Sequence, residues 1–393
     1  MATSTHLHAV APSRPRLVSR TLILVFLADF AGLSSFYLLL SVVPQYAASA
    51  GAGGAGAGLT TAVLMGATVA AEFAMPGLVA RFGHRAVLAA GLALLGVPAL
   101  MLPLAPDPAA IVAVCVLRGV GLAVIFVVCG ELVAALVPAE RRGEGLGVFG
   151  VVAGVPAVLA MPVGVWLAGS VGFGPVLVAG AVAALAGLVA VAGLPAIPRP
   201  AGDGPRLGWP AALRDRALVR PAVAFTATAV GAGAVMTFLP VAVPAGSGGL
   251  AAGALLVLSV AATGSRWWAG RRADRDGTAS LLGLGVLLVA AGLLSLVMLG
   301  SPAVVLAGAA LFGLGFGIAQ NASLVAMYDA NLVGGFGVAT ALWSVAYDAG
   351  LGVGAGAFGV LSGQAGFAAA FAVTAAVVAA ALPVTGLRSR RAR

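Results

Sequence analysis

The chain has 393 residues, of which 61% are hydrophobic and only 8% charged, with a formal net charge of +9. Soluble domains carry about 25% charged residues, so most of this chain is excluded from water and the unit to count is the bilayer span of about 20 apolar residues. All 21 basic residues are Arg, which leaves P-loop, kinase and pyridoxal-phosphate chemistry without the lysine it needs.

In chain order, Met1 to Ser19 is polar and contains Pro, and it reads as a cytoplasmic tail (1–20) rather than a secretory signal. His6 and His8 lie in it without further ligands, so no metal site is expected. Apolar runs predict helices at 21–47, 58–80, 85–105, 109–136, 144–168 and 174–196. A Pro- and Arg-rich cytoplasmic linker follows at 197–220. Six more helices are predicted at 221–243, 250–269, 279–299, 303–327, 336–360 and 366–386, with a tail at 387–393. Gly51 to Gly58 reads as a flexible external linker. Cys115 and Cys129 read as small hydrophobes. Gly313-Leu314-Gly315-Phe316-Gly317 and Gly352-Val353-Gly354 follow no strand, so they read as close-packing sites rather than nucleotide loops. No Ser-His-Asp or Cys-His constellation is visible, so neither an enzyme nor a cofactor is expected.

The arginines test the helix count. With the N-terminus in the cytoplasm, Arg14, Arg16, Arg20, Arg81, Arg85, Arg141 and Arg142 fall inside. So do Arg199, Arg206, Arg214, Arg216 and Arg220 of the linker, Arg266, Arg271, Arg272 and Arg275 of loop 8–9, and Arg388, Arg390, Arg391 and Arg393 of the tail. Arg118 alone is left within a span. Both termini are thus expected in the cytoplasm, and membrane topology accounts for the positive balance without a nucleic-acid partner. The Ala/Gly/Val/Arg bias points to a GC-rich bacterial genome and an inner (cytoplasmic) membrane.

Arg81-Phe82-Gly83 and Arg275-Asp276-Gly277 stand 194 residues apart, each after the second helix of a half, as parallel six-helix halves require. The stretch from Gly270 through Asp274 and Arg275 to Gly277 resembles the loop signature G-x-L-A-D-R-x-G of the major facilitator superfamily, with Arg272 in place of Leu. Its first-half counterpart, Pro76 to Arg85, has Ala80 where the family has Asp. Arg118-Gly119-Val120-Gly121 resembles the intramembrane Arg motif of helix 4. Gly154 to Gly164, with Pro156 and Pro162, resembles the helix 5 signature of antiporters, and Val137 to Gly143 resembles loop 4–5. The resemblance covers nearly the whole chain. It implies an all-α membrane protein of twelve transmembrane helices in two pseudo-symmetric six-helix bundles, closest to the proton-linked drug and metabolite exporters.

A charge at the bilayer centre costs about 2.5–3.5 kcal/mol on the gentlest scale, so each one invites a role. Asp29, ~14 Å beyond Arg20, and Arg118, ~17 Å beyond Asp107, are placed at similar depth and expected to face each other. They serve either as a proton-coupling pair or as a structural ion pair. Glu72 is a further proton-coupling candidate. Glu131 is expected to latch onto Arg81 or Arg85 at a cytoplasmic gate that also holds Gly270, Asp274, Arg275 and Gly277. The second half lacks the helix 4 charges, so coupling is expected in the first. The substrate cavity is assigned Phe26, Phe30, Tyr37, Phe126, Met236, Phe238, Gln320, Asn321, Trp343, Tyr347 and Asp348, against the simpler reading of helix packing.

The resulting expectation is a monomeric secondary transporter that exports lipophilic small molecules, cationic or zwitterionic among them, against a proton gradient, in the manner of a multidrug antiporter. Its partners are a small-molecule substrate, protons and the lipid bilayer. The alternatives are uptake or facilitated diffusion of a polar nutrient such as a sugar, and a non-transporting membrane sensor.

Overall fold

The computed structural model describes residues 19–104, 107–137, 142–195, 212–244, 248–276, 278–330 and 336–385. Arg14, Arg16, Arg141, Arg199, Arg206, the four tail arginines, His6, His8 and Gly277 lie outside them, as do the side chains of Arg142, Asp274 and Arg275. No strand occurs among the described residues. The helices are α1 (Arg20–Leu40), α2 (Val42–Ala47), α3 (Gly53–Glu72), α4 (Met75–Phe82), α5 (His84–Gly96), α6 (Pro108–Leu136), α7 (Arg142–Val171) and α8 (Phe173–Ala192). They continue with α9 (Arg216–Ala242), α10 (Gly248–Asp276), α11 (Thr278–Ser295), α12 (Pro302–Ala330) and α13 (Phe336–Ala379).

Local chemistry sets several starts. Ser19 Oγ accepts from the Leu22 N–H, Asp107 Oδ2 from Ala110 and Asp215 Oδ1 from Ala217, each satisfying a donor the helix leaves open. Ten stretches among the described residues are long and apolar enough to cross a membrane. Two of them, Arg20–Glu72 and Val338–Thr385, run 53 and 48 residues. At 1.5 Å per residue these are ~80 and ~72 Å, far beyond a hydrocarbon core of about 30 Å. The first breaks at Gly51 and Gly53 (φ 92° and 61°) and the second at Gly366 (φ 80°), in a region that favours glycine. The chain folds back at both breaks. Ser41 and Thr61 each bond to α9, at Met236 and Thr237, and Phe358 packs on Phe371 with centroids 4.7 Å apart.

Close crossings hold the helices together. A Cβ on Gly119 would lie 2.2 Å from the Leu64 carbonyl oxygen, and one on Gly313 would lie 2.3 Å from that of Leu258. A Cβ on Gly121 would lie 2.6 Å from Gly91 O, and one on Gly315 would lie 2.6 Å from Gly285 O. Each second-half residue number exceeds its counterpart by 194, so the repeat read from the two Arg-containing loops is also a repeat of packing. The glycines of the Gly313–Gly317 run are packing sites, as expected. The flexible linker expected over Gly51–Gly58 is corrected: from Gly53 the chain is helix, and Gly54 and Gly58 press α3 against α13. Small residues here allow backbone approach rather than disorder.

We call the end where α1 begins the near end and its opposite the far end. The seam between α3 and α13 runs from the far end inward, through Gly54 against Ser362, Gly58 against Ala355, Gly356 against Ala62 and Gly352 against Met65.

Gly58→Val would put side-chain carbon into the Ala355 carbonyl. The expected cost is about 1–3 kcal/mol of stability, whereas Gly66→Val, where a Cβ meets nothing within 4 Å, changes stability by less than about 0.5 kcal/mol. Thermal unfolding of the detergent-solubilised variants checks this, and equal effects at the two positions would refute the seam.

Candidate functional site

On α1, Ile23, Leu27, Phe30, Ser34, Tyr37 and Ser41 recur every three or four residues and form one stripe. At the far end this stripe touches the second half: Ser41 Oγ donates to Met236 O, and the Tyr37 hydroxyl meets that of Tyr347. Toward the near end its side chains are open, with Ile23 47%, Leu27 53% and Phe30 40% exposed. The stripe thus touches the second half at the far end and is exposed toward the near end, and this exposed stretch between the halves is called the gap.

Asp29 and Arg118 are each 1% exposed and do not meet. Arg118 donates from Nε to Leu95 O (3.2 Å) and from Nη2 to Ser35 O (3.3 Å), joining α6 to α5 and α1 through carbonyl dipoles. Asp29 instead lies against Cys129, and neither carboxylate oxygen has a hydrogen-bonded N–H or O–H in the geometry present. The expectation failed through helix length. At 29 residues, α6 is ~43 Å long, so a residue ~17 Å from one end is not level with one ~14 Å from the other. The register along α1 and α6 pairs Gly32 with Ile125 and carries Asp29 to Cys129.

Two further carboxyls, one buried and one half-buried, do meet. Asp348 on α13 and Glu72 on α3 contact each other at the near-end limit of the glycine seam. Asp348 is 1% exposed, and neither of its oxygens nor Glu72 Oε1 has a donor. Two ionised carboxylates offer acceptors only; the contact becomes a hydrogen bond when one carries a proton. Asp348 is thus corrected from a cavity-lining group to a partner of Glu72 across the two halves.

Arg266 is a residue the sequence reading misplaced. It belongs to α10, ten residues before the helix ends at Asp276, or ~15 Å inward, and not to a loop. Its Nη2 donates to Gln320 Oε1 of α12. The side chain is exposed. The Tyr37 and Tyr347 hydroxyls share its electrostatic neighbourhood. The repeat could have found it: Arg266 stands 194 residues after Glu72, on the helix equivalent to α3. The second half, expected to lack the helix 4 charges, carries a charge of its own on α10.

Aromatic rings form the adjoining wall. Trp343 stacks on Phe225 at 4.7 Å and 12°, Tyr347 continues the stack, and Trp343 Nε1 donates to Ser323 Oγ at 3.0 Å. Asn321 is half-buried, with its Oδ1 unpartnered. Phe26 stacks on Phe149, Phe126 packs edge-on against Phe36, and Met236 is buried. Phe238 is fully buried against Phe358 and Phe367, away from the gap, which corrects its assignment.

At the near end the latch of Glu131 onto Arg81 or Arg85 is absent from the described contacts. Glu131 instead faces His84 at 3.8 Å, Arg85 donates to Ala192 O, and Arg81 lies over the Phe82 ring. Gly270 packs beside Asn321. In the helix 5 motif, Pro156 and Pro162 lie inside α7, a Cβ on Gly164 would come within 2.2 Å of Leu38 O, and one on Gly154 would meet open space.

A family model described as Major Facilitator Superfamily matches residues 24–334. The fold is similar to that of a bacterial homolog of the human lysosomal transporter Spinster in an inward-facing and occupied conformation (TM-score 0.79, 14% identity, covering 96% of this chain and 98% of that one). It is also similar to a peptide transporter, POT, in complex with sulfate (0.75, 16%, 93% and 93%) and to the nucleoside transporter NupG (0.71, 14%, 94% and 100%). No curated protein matches the chain in sequence.

Because Asp29 and Arg118 lie apart, their neutralisation should be additive. Arg118→Gln removes two buried charge-assisted hydrogen bonds and should cost about 2–4 kcal/mol, Asp29→Asn should be near neutral, and their coupling should stay below about 0.5 kcal/mol. A double-mutant cycle on thermal unfolding measures this; a coupling above about 1 kcal/mol would restore the pair.

Proposed function

We infer the function from one premise: the chain belongs to the Major Facilitator Superfamily. It is a membrane transporter of small molecules and not an enzyme. We propose that it crosses the membrane twelve times, each double-length segment crossing twice about its glycine break. We also propose that it carries lipophilic small molecules outward in exchange for protons by alternating access.

Orientation follows from charge. Arg20, Arg81, Arg85, Arg216, Arg220, Arg271 and Arg272 stand at helix ends of the near side, Arg271 and Arg272 over the rings of Trp267 and Trp268. Arginines concentrate on the cytoplasmic side, so the near end faces the cytoplasm, of a bacterial inner membrane, and the gap opens inward.

The observation that carries proton coupling is the Glu72–Asp348 contact between halves. With one proton the pair shares a hydrogen bond and ties α3 to α13. With none, two anions held together at a partly buried contact repel and draw in water, which favours parting of the halves. Proton occupancy thereby biases the element that must move. Asp29, buried without a donor beside the gap-lining stripe, is a second protonatable group. Arg118 acts on coupling only through helix position. A second reading, uptake of a polar solute, is favoured by Gln320, Asn321 and the two tyrosine hydroxyls at the gap.

In energised inside-out vesicles, a transported lipophilic compound should collapse the pH gradient with the wild type. Asp348→Asn and Glu72→Gln should exchange labelled substrate yet release the gradient at least about tenfold more slowly. Substrate movement by the wild type without proton movement would overturn coupling, and proton-linked entry of a sugar or nucleoside would favour uptake.

A further inference from the structure

The equivalence of Glu72 and Arg266 in the two halves frames a recognition problem. Glu72 on α3 finds Asp348 on α13. Arg266 on α10 packs beside α7, which carries no acidic residue beyond Glu144. No carboxylate among the described residues comes within 4 Å of Arg266. One of its five N–H donors goes to Gln320, which is neutral. The Tyr37 and Tyr347 hydroxyls lie within the electrostatic neighbourhood of Arg266, and its side chain is exposed. A fixed cation within a membrane span, exposed and with no carboxylate partner among the described residues, is half of an ion pair.

The second half of such a site lies next to it. The Trp343 and Tyr347 rings are nearly parallel (12°), backed by the buried Phe225, and Trp343 is pinned through its indole N–H to Ser323. Both rings are only half-buried. A rigid flat wall beside a cation matches a ligand with a planar apolar body and an acidic group.

We infer that the gap binds amphipathic organic anions, with a carboxylate or sulfonate on Arg266 and a planar apolar body against Trp343 and Tyr347. This rests on reading the gap as the transport pathway and replaces the cationic and zwitterionic preference expected from the sequence. Gln320 holds the guanidinium in place, and Tyr37, from the opposite half, brings the anion into contact with both halves at once.

Equilibrium binding of three fluorescent isosteres, pyrenebutyrate, pyrenebutanol and pyrenebutylamine, to the full chain in nanodiscs tests this without any proton gradient. A failure of proton coupling therefore leaves the result intact. Energy transfer from protein tryptophan reads bound probe, with empty nanodiscs subtracted. The wild type should bind pyrenebutyrate about tenfold or more tighter than pyrenebutanol, as expected for a charge-assisted hydrogen bond, and pyrenebutylamine weakest. Arg266→Gln should abolish the preference for the anion while leaving pyrenebutanol binding unchanged, which also shows that the variant is folded. Arg266→Lys should keep part of the preference, and Arg271→Gln all of it. Equal affinity for the three probes, preference for the amine, no binding of the anion, or a preference that survives Arg266→Gln would each overturn the inference.

Discussion

Backbone contact between helices at glycine is the constraint on which the other features depend. Lipid tails are as apolar as leucine side chains, so helices in a bilayer gain little from hiding hydrophobic surface and must gain from close packing. Gly119 on Leu64 O, Gly164 on Leu38 O, Gly233 on Leu351 O and Gly354 on Val230 O bring backbones together where a methyl group would not fit. These contacts fix the registers that carry Asp29 to Cys129 and Glu72 to Asp348. The same seam ends at the carboxyl pair, so the tight part of the interface passes directly into the part able to open.

Much of the fold was legible. Apolar runs located the helices because a bilayer leaves few options for satisfying a backbone, and the 194-residue repeat was visible in two short loops. What misled was reading glycine by its behaviour in water. The run Gly51–Gly58 resembles a linker, yet only Gly51 and Gly53 turn the chain; Gly54 and Gly58 serve α3 as contact surface. Nothing in the local sequence separates these roles, since the partner surface on α13 lies about 300 residues away.

The site was legible as a set of residue types and not as a set of pairs. Asp29, Glu72, Arg118 and Asp348 stand out because each is a charge in an apolar run, but depth counted from a loop assumes that helices just span the bilayer. With α6 at ~43 Å that assumption fails, and the pair expected between Asp29 and Arg118 dissolves into two environments: carbonyl dipoles around one, a thiol beside the other. Arg266 was misassigned for the opposite reason. Three arginines follow it within nine residues, and proximity in sequence made it look like loop, although the helix runs on to Asp276.

The repeat then gives the site its logic. Glu72 and Arg266 are equivalent in the two halves and differ in one physical respect: a carboxyl can be neutralised by a proton within the range a cell reaches, and a guanidinium cannot. Glu72, facing Asp348, can alternate between a hydrogen bond and a repulsion. Arg266, facing the gap, keeps its charge through every stage of a cycle and offers it to whatever enters. In the proposed cycle the two positions thus divide the task, Glu72 sensing protons where α3 of one half meets α13 of the other, and Arg266 holding substrate on α10 beside α12. Because Tyr37 reaches from the first half to Tyr347 and the neighbourhood of Arg266, a ligand bound as proposed on the cation would also touch the half that carries Glu72, and that shared contact would link the two events.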